Sequence, residues 1–176
     1  MIYLKNKSTN IIKIVILIMI LSGMLIGIFS SIKLEKQNYQ LTYSNKSYLQ
    51  LFINSFTTNY WYFFIIWLTG LIPFGFVLTS LFAIIKSFLT GVIVCLSFKG
   101  NGIFGLLILI RYGFLEFLII LPLLYFVSYH IFLNTLIGRN YLNKKTSYFN
   151  ILIIITLFIV LYSLLISIKF NVMEVK

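Results

Sequence analysis

The chain has 176 residues, 61% of them hydrophobic and 18% aromatic, with only 10% charged and a mean hydropathy of +1.05. A soluble domain carries about 25% charged residues, so this chain cannot cover a water-facing surface, and disorder is excluded because it requires low hydrophobicity. Fourteen Lys and Arg stand against three acids, for a net charge of +11. In a membrane protein that excess marks loop orientation and contact with anionic lipid headgroups, so the expected partner is the lipid bilayer and not nucleic acid. The fold class expected is an all-α integral membrane protein, with about five transmembrane helices and one re-entrant or half helix.

The first apolar run, 11–29, follows a basic stretch with Lys5 and Lys7 and is interrupted only by Lys13 near its start. It is too long for the apolar core of a secretory signal and lacks an A-x-A-like site, so it is expected to stay as an anchor. Gly23, Gly27 and Ser31 recur every four residues, a small-residue face that allows close helix approach. Residues 30–59 are the longest polar segment. Within it, Ser47 and Gln50 are spaced as a capping box, and Leu49, Phe52, Ile53 and Phe56 share one face. The expectation is a surface helix over 47–56 that feeds the second span.

Residues 61–98 are apolar for long enough to hold two spans with almost no loop. The assignment is 57–76 and 78–98, with the turn either at Pro73–Gly75 or nearer Lys86. Ala83, the chain's one alanine, falls in step with Ser87 and Gly91 and makes a second small-residue ladder. Lys99-Gly100-Asn101-Gly102 reads as a tight turn. Residues 103–110 read as a short re-entrant helix, 114–137 as a fourth span and 148–170 as a fifth, within one polytopic domain over 1–176. The basic clusters Lys5/Lys7/Lys13 and Arg139/Lys144/Lys145 should both be cytoplasmic. Four crossings between them satisfy that, and place residues 30–59 and the C-terminus outside. The scarcity of alanine points to an AT-rich genome, as in a low-GC Gram-positive bacterium.

Candidate chemistry is sparse. His130 is the sole histidine, Cys95 the sole cysteine, and aspartate is absent. No paired carboxylate, histidine pair or phosphate-binding glycine motif can be assembled, so the expectation is no catalytic site, no metal and no cofactor. His130 reads as a hydrogen-bonded packing residue and Cys95 as a small buried hydrophobe. Glu116 stands apart, because an acid inside an apolar segment marks a functional or paired site. The candidate intramembrane polar site is Glu116 with Arg111 and Lys86, and Lys99 is a further possible counter-charge. Arg111 lies five positions before Glu116, which turns it about 140° away on a regular helix.

Residues from about 48 to 130 resemble the stage II sporulation protein M family. A polar, Asn-containing lead-in enters an aromatic span ending in Trp67-Leu68-Thr69-Gly70-Leu71, followed by Ile72-Pro73. Lys86-Ser87 then precedes Gly91, and a Lys99-Gly100-Asn101-Gly102 element and another apolar run come after. Where sporulation members carry a Pro-Gln-Asn-like step this chain has RYGFLEF, closer to Glu-bearing variants of the wider family. The resemblance implies a non-enzymatic membrane scaffold that anchors extracytoplasmic cell-wall hydrolases, the peptidoglycan-remodelling partners of sporulation engulfment. The wider family implies an alternative, a membrane subunit of an ABC-type exporter or of a circular-bacteriocin maturation and export system. There the basic loop 138–147 would dock a cytoplasmic ATPase.

Overall fold

In the computed structural model, residues 2–32, 41–43, 47–101, 113–136, 145–169 and 173–175 are described. Among them the long elements are all helices: α1 (Ile2–Ile32), α2 (Tyr48–Thr69), α3 (Gly75–Asn101), α4 (Glu116–Leu136) and α5 (Lys145–Lys169). Four stretches are long and apolar enough to cross a membrane: Thr9–Ile32, Gly75–Lys99, Glu116–Leu136 and Tyr148–Ser167. The protein is therefore an all-α, multi-pass membrane protein. α2 has the length of a span, at 22 residues, but its hydropathy is broken by Asn54, Thr57, Thr58 and Asn59.

The helices fall into two orientations. Gly23 faces Ser87, Gly27 faces Phe88, and Lys99 donates to the Ile32 carbonyl at 2.7 Å. These pairs rise together along both chains, so α1 and α3 are parallel. α4 runs against both, with Lys13 over the Tyr129 ring at 5.5 Å and Phe76 against Phe132 at 6.0 Å. α2 and α5 are antiparallel, because Trp67 near the end of α2 stacks on Tyr148 near the start of α5. The C-terminal ends of α1, α3 and α5 thus share one side with the N-terminal end of α2. On that side Leu41–Tyr43 pairs antiparallel with Met173–Val175.

Local sequence explains the boundaries. The Ser47 hydroxyl accepts from the Gln50 amide (3.3 Å) and the Gln50 carboxamide oxygen accepts from the Ser47 amide (3.2 Å), so the expected capping box forms. The helix it starts is not a separate surface element over 47–56, as expected from the sequence. It continues unbroken to Thr69, because residues 47–69 contain no Gly or Pro and the polar positions keep helical hydrogen bonding. The second span accordingly stops at Thr69 and not at residue 76, and the turn lies at 70–74. Pro73 supplies no N–H to continue α2. Gly70 and Gly75 leave room for close approach: a Cβ on Gly75 would overlap the Thr69 carbonyl, and one on Gly70 would overlap Tyr148. Asn134 Nδ2 donates to the Gly70 carbonyl at 2.9 Å, and the Thr69 and Thr79 hydroxyls bond at 2.6 Å across the turn.

The expected tight turn at Lys99–Gly102 is also corrected for the residues described, since α3 runs through Asn101. One glycine in a helix costs only about 1 kcal/mol, and the Lys99 contact to the end of α1 keeps the last turns of α3 wound. The expected re-entrant helix over 103–110 lies outside the described residues. α4 opens with a π-helical stretch, Glu116–Ile120, in which the Leu121 amide reaches back to the Glu116 carbonyl. Pro122 explains it: proline lacks an N–H and its ring crowds the carbonyl four residues back, at Leu118. The wider π turn accommodates both. The core is built from Phe63, Ile66, Ile120, Leu124, Val127, Ile131, Ile155 and Ile159, all fully buried at the centre of α2, α4 and α5.

Candidate functional site: a half-buried ion pair at the start of the π turn

Lys86 and Glu116 meet. The Lys86 ammonium is 2.7 Å from Glu116 Oε1, with side-chain exposures of 18% and 14%. The second carboxylate oxygen, Oε2, accepts from the Tyr162 hydroxyl at 3.1 Å. The Lys86 nitrogen also lies 5.9 Å from the Tyr62 ring centroid, on whose face a cation is attracted. The Tyr62 hydroxyl donates to the Phe82 carbonyl one turn before Lys86, which fixes that ring beside the lysine. Four helices contribute: α2 gives Tyr62, α3 Lys86, α4 Glu116 and α5 Tyr162.

The depth of the pair gives it energetic weight. Lys86 is eleven residues into α3, about 16 Å along it, inside the stretch Gly75–Lys99 that is long and apolar enough to cross a ~30 Å hydrocarbon core. A lone lysine there costs about 2.5–3.5 kcal/mol on insertion scales. Pairing removes that penalty, although a buried pair adds little net stability over an apolar replacement. What the pair supplies is a specific register between α3 and α4.

Of the expected counter-charges, Lys86 is the one brought to Glu116. Lys99 is on the end of α1 instead, and Arg111 lies outside the described residues. His130 packs edge-on between Phe126 (4.5 Å) and Tyr129 (5.6 Å), but its Nδ1 has no hydrogen-bond partner among the described residues, unlike the bonded packing residue expected. Cys95 is half-buried and lines an apolar groove with Ile28, Ile32, Val94 and Phe98 between the ends of α1 and α3. Among the described residues no group of three His, Cys, Asp or Glu could hold a metal.

The two small-residue ladders meet each other. A Cβ on Gly23 would lie 2.8 Å from the Ile84 carbonyl oxygen and overlap Ser87 Oγ. One on Gly27 would overlap the Phe88 carbonyl, and one on Gly91 the Met24 carbonyl. Ala83 and Ser87 are buried in the same seam, where Ser87 Oγ donates to the Ala83 carbonyl at 2.8 Å. Sequence reasoning marked each ladder but did not pair them. It missed Tyr62 and Tyr162, which look like ordinary aromatic residues of spans; only their position facing a buried charge distinguishes them. Compared with protein-family models, characterised proteins and solved structures, the chain matches none of them.

Proposed function

We propose that the chain is a non-enzymatic scaffold of the cell membrane, resembling stage II sporulation protein M, with its N-terminus in the cytoplasm. In this reading it anchors extracytoplasmic peptidoglycan-remodelling partners. The observation that carries it is the closure of the Lys86–Glu116–Tyr162 cluster: both oxygens of the described intramembrane carboxylate are taken by the bundle's own side chains. A carboxylate saturated in this way serves architecture better than it serves the passage of an ion. The orientation is supported by Lys5, Lys7 and Lys13 at the start of α1, with Arg139 and Lys144 between α4 and α5 and Lys145 at the start of α5, because the Lys13–Tyr129 contact puts the start of α1 beside the end of α4. Reporter fusions after Asn143 should be cytoplasmic and fusions after Lys176 extracytoplasmic; both on one side would refute the five-crossing arrangement.

The π turn at Glu116 favours a second reading, since such turns recur at functional sites: a membrane subunit of an exporter served by a cytoplasmic ATPase. Glu116→Gln separates the two. As a structural partner the amide still bonds Lys86 and Tyr162, so accumulation and co-purification of a cell-wall hydrolase should persist along with the cellular phenotype. Glu116→Leu leaves Lys86 buried and unpaired, at about 3–5 kcal/mol, and should accumulate poorly. A Gln variant that accumulates and recruits normally, yet has lost function completely, would establish the exporter reading instead.

A further inference from the structure

α2 is not among the four stretches long and apolar enough to cross a membrane, and its polarity is one-ended. Gln50, Asn54, Ser55, Thr57, Thr58 and Asn59 all precede Tyr60, whereas residues 60–68 are aromatic or aliphatic throughout. Gln50, Asn54, Thr57 and Thr58 are exposed. Trp67 beside Tyr148 and Tyr62 beside Phe82 fix the heights of α5 and α3 against α2. At the height of the polar half, the exposed side chains of those two helices are apolar: Ile85, Leu89 and Ile93 on α3, and Leu157, Leu161 and Leu164 on α5. Lipid suits the surfaces of α3 and α5 and does not suit that half of α2.

The polar half leads to the ion pair. From the turn at 70–74, α2 and α3 touch first at Thr69 and Thr79, whose hydroxyls are 2.6 Å apart, and then at Tyr62 and Phe82, whose rings are 6.0 Å apart. The Lys86 ammonium sits over the same Tyr62 ring. Thr58 and Lys86 each lie eleven residues from the turn, about 16 Å along their helices. At about 100° per residue, Ser55 and Thr58 are turned only about 20° and 40° around α2 from Tyr62, so they stand above the ring on which the ammonium rests. The pair below them is not sealed, since Lys86 and Glu116 keep side-chain exposures of 18% and 14%. Toward the turn the bundle is closed, because Phe63, Ile66, Val127 and Ile131 are fully buried. Hydrocarbon supplies no hydrogen bonds to the Asn54 carboxamide or to the open edge of an ion pair, and water supplies both.

We propose that a water-filled crevice enters the bundle on the side where α1, α3 and α5 end, descends between α2 and α3 past Asn54 and Thr58, and stops at Lys86 and Glu116. That this side is extracytoplasmic rests on the orientation proposed above. The pair then exchanges protons and small solutes with the outer medium alone, and the buried aromatic and aliphatic side chains beneath it close the way to the cytoplasm.

The test is thiol labelling of the full chain in intact cells, in a Cys95→Ser background that has no other cysteine. Maleimides react with the thiolate, which forms in water and is suppressed in apolar surroundings. A membrane-impermeant sulfonated maleimide added outside should label Asn54→Cys and Thr58→Cys many-fold faster than Leu89→Cys and Leu157→Cys, which are exposed on α3 and α5 at 48% and 62%. Thr58→Cys labelled no faster than Leu157→Cys, in chains that accumulate equally, would overturn the proposal. Labelling seen only in inverted vesicles would support the crevice and overturn the orientation; labelling from both faces would overturn the one-sided access.

The foot of the crevice is tested at Lys86→Cys, which leaves the Glu116 carboxylate beside the new thiol. An impermeant methanethiosulfonate carrying a trimethylammonium group should react there several-fold faster than one carrying a sulfonate, and adding Glu116→Gln should remove the preference. Equal rates with the two reagents, or no reaction at Lys86→Cys where Thr58→Cys reacts, would overturn the connection to the ion pair.

Discussion

The contact of α1 with α3 and the contact of α2 with α5 solve the same problem by opposite means. Along α1 and α3 the side chains are removed: Gly23, Gly27 and Gly91 bring backbone against backbone, and a Cβ at any of them would collide with the other helix. Along α2 and α5 the side chains are large and aromatic. Phe52, Phe56, Tyr60, Phe64 and Trp67 stack in a continuous ladder with centroids 5.4 to 6.0 Å apart. The ladder ends on Tyr148, where two hydrogen bonds cross between the helices. Trp67 Nε1 donates to the Tyr148 carbonyl at 3.2 Å, and the Tyr148 hydroxyl donates to the Trp67 carbonyl at 2.6 Å. Lipid tails are as apolar as the helices, so neither contact can rely on the hydrophobic effect. The first relies on proximity, which makes it intolerant of any added volume. The second relies on area and on two directional bonds, so it should lose strength gradually.

That contrast predicts an order of damage. Gly91→Leu is expected to be the most harmful, because its first added carbon already overlaps the Met24 carbonyl; the cost should be about 3 kcal/mol, the upper range for overpacking. Ser87→Leu pushes against Gly23 and should cost about 1–3 kcal/mol by the same argument. Thermal unfolding of the purified protein in detergent would register both, and a Gly91→Leu protein as stable as the parent would mean that the ladders do not touch. Tyr148→Phe should cost less, about 1 kcal/mol for one lost hydrogen bond, with the ring stacking retained. A loss equal to that of Gly91→Leu would erase the distinction between the two contacts. Ile93→Leu, on the outer face of α3 at 47% exposure, should shift stability by less than about 0.5 kcal/mol.

The sequence made the apolar spans visible because they are long and are bounded by residues of fixed meaning, such as Ser47 with Gln50 and Pro73. It misread polarity twice. The polar segment 30–59 and the one-sided Leu49, Phe52, Ile53 and Phe56 suggested a surface helix over 47–56, yet a helix satisfies its own backbone whatever its side chains are, and α2 runs on to Thr69. Gly100 and Asn101 suggested a turn, yet the reach of Lys99 to α1 depends on a neighbour distant in the chain. The candidate site was legible as to its charges and not as to its geometry. Glu116 and Lys86 stand out as ions in apolar runs, but choosing Lys86 over Lys99 requires knowing that α3 passes α4. The two tyrosines that complete the cluster carry no local signal at all.

The parallel arrangement of α1 and α3 has a consequence for how the chain is assembled. Neighbouring spans can pair as a hairpin while they leave the ribosome, and the close turn at 70–74 suits α2 and α3 to that route. α1 cannot pair with α3 until α2 has crossed in the opposite direction and α3 has returned. Its glycine face must therefore wait while more than sixty residues of chain are added before α3 can close on it. A variant that fails at Gly27 or Gly91 should accordingly stall as an inserted but open chain, its helices across the membrane and the α1 face still exposed to quality-control proteases.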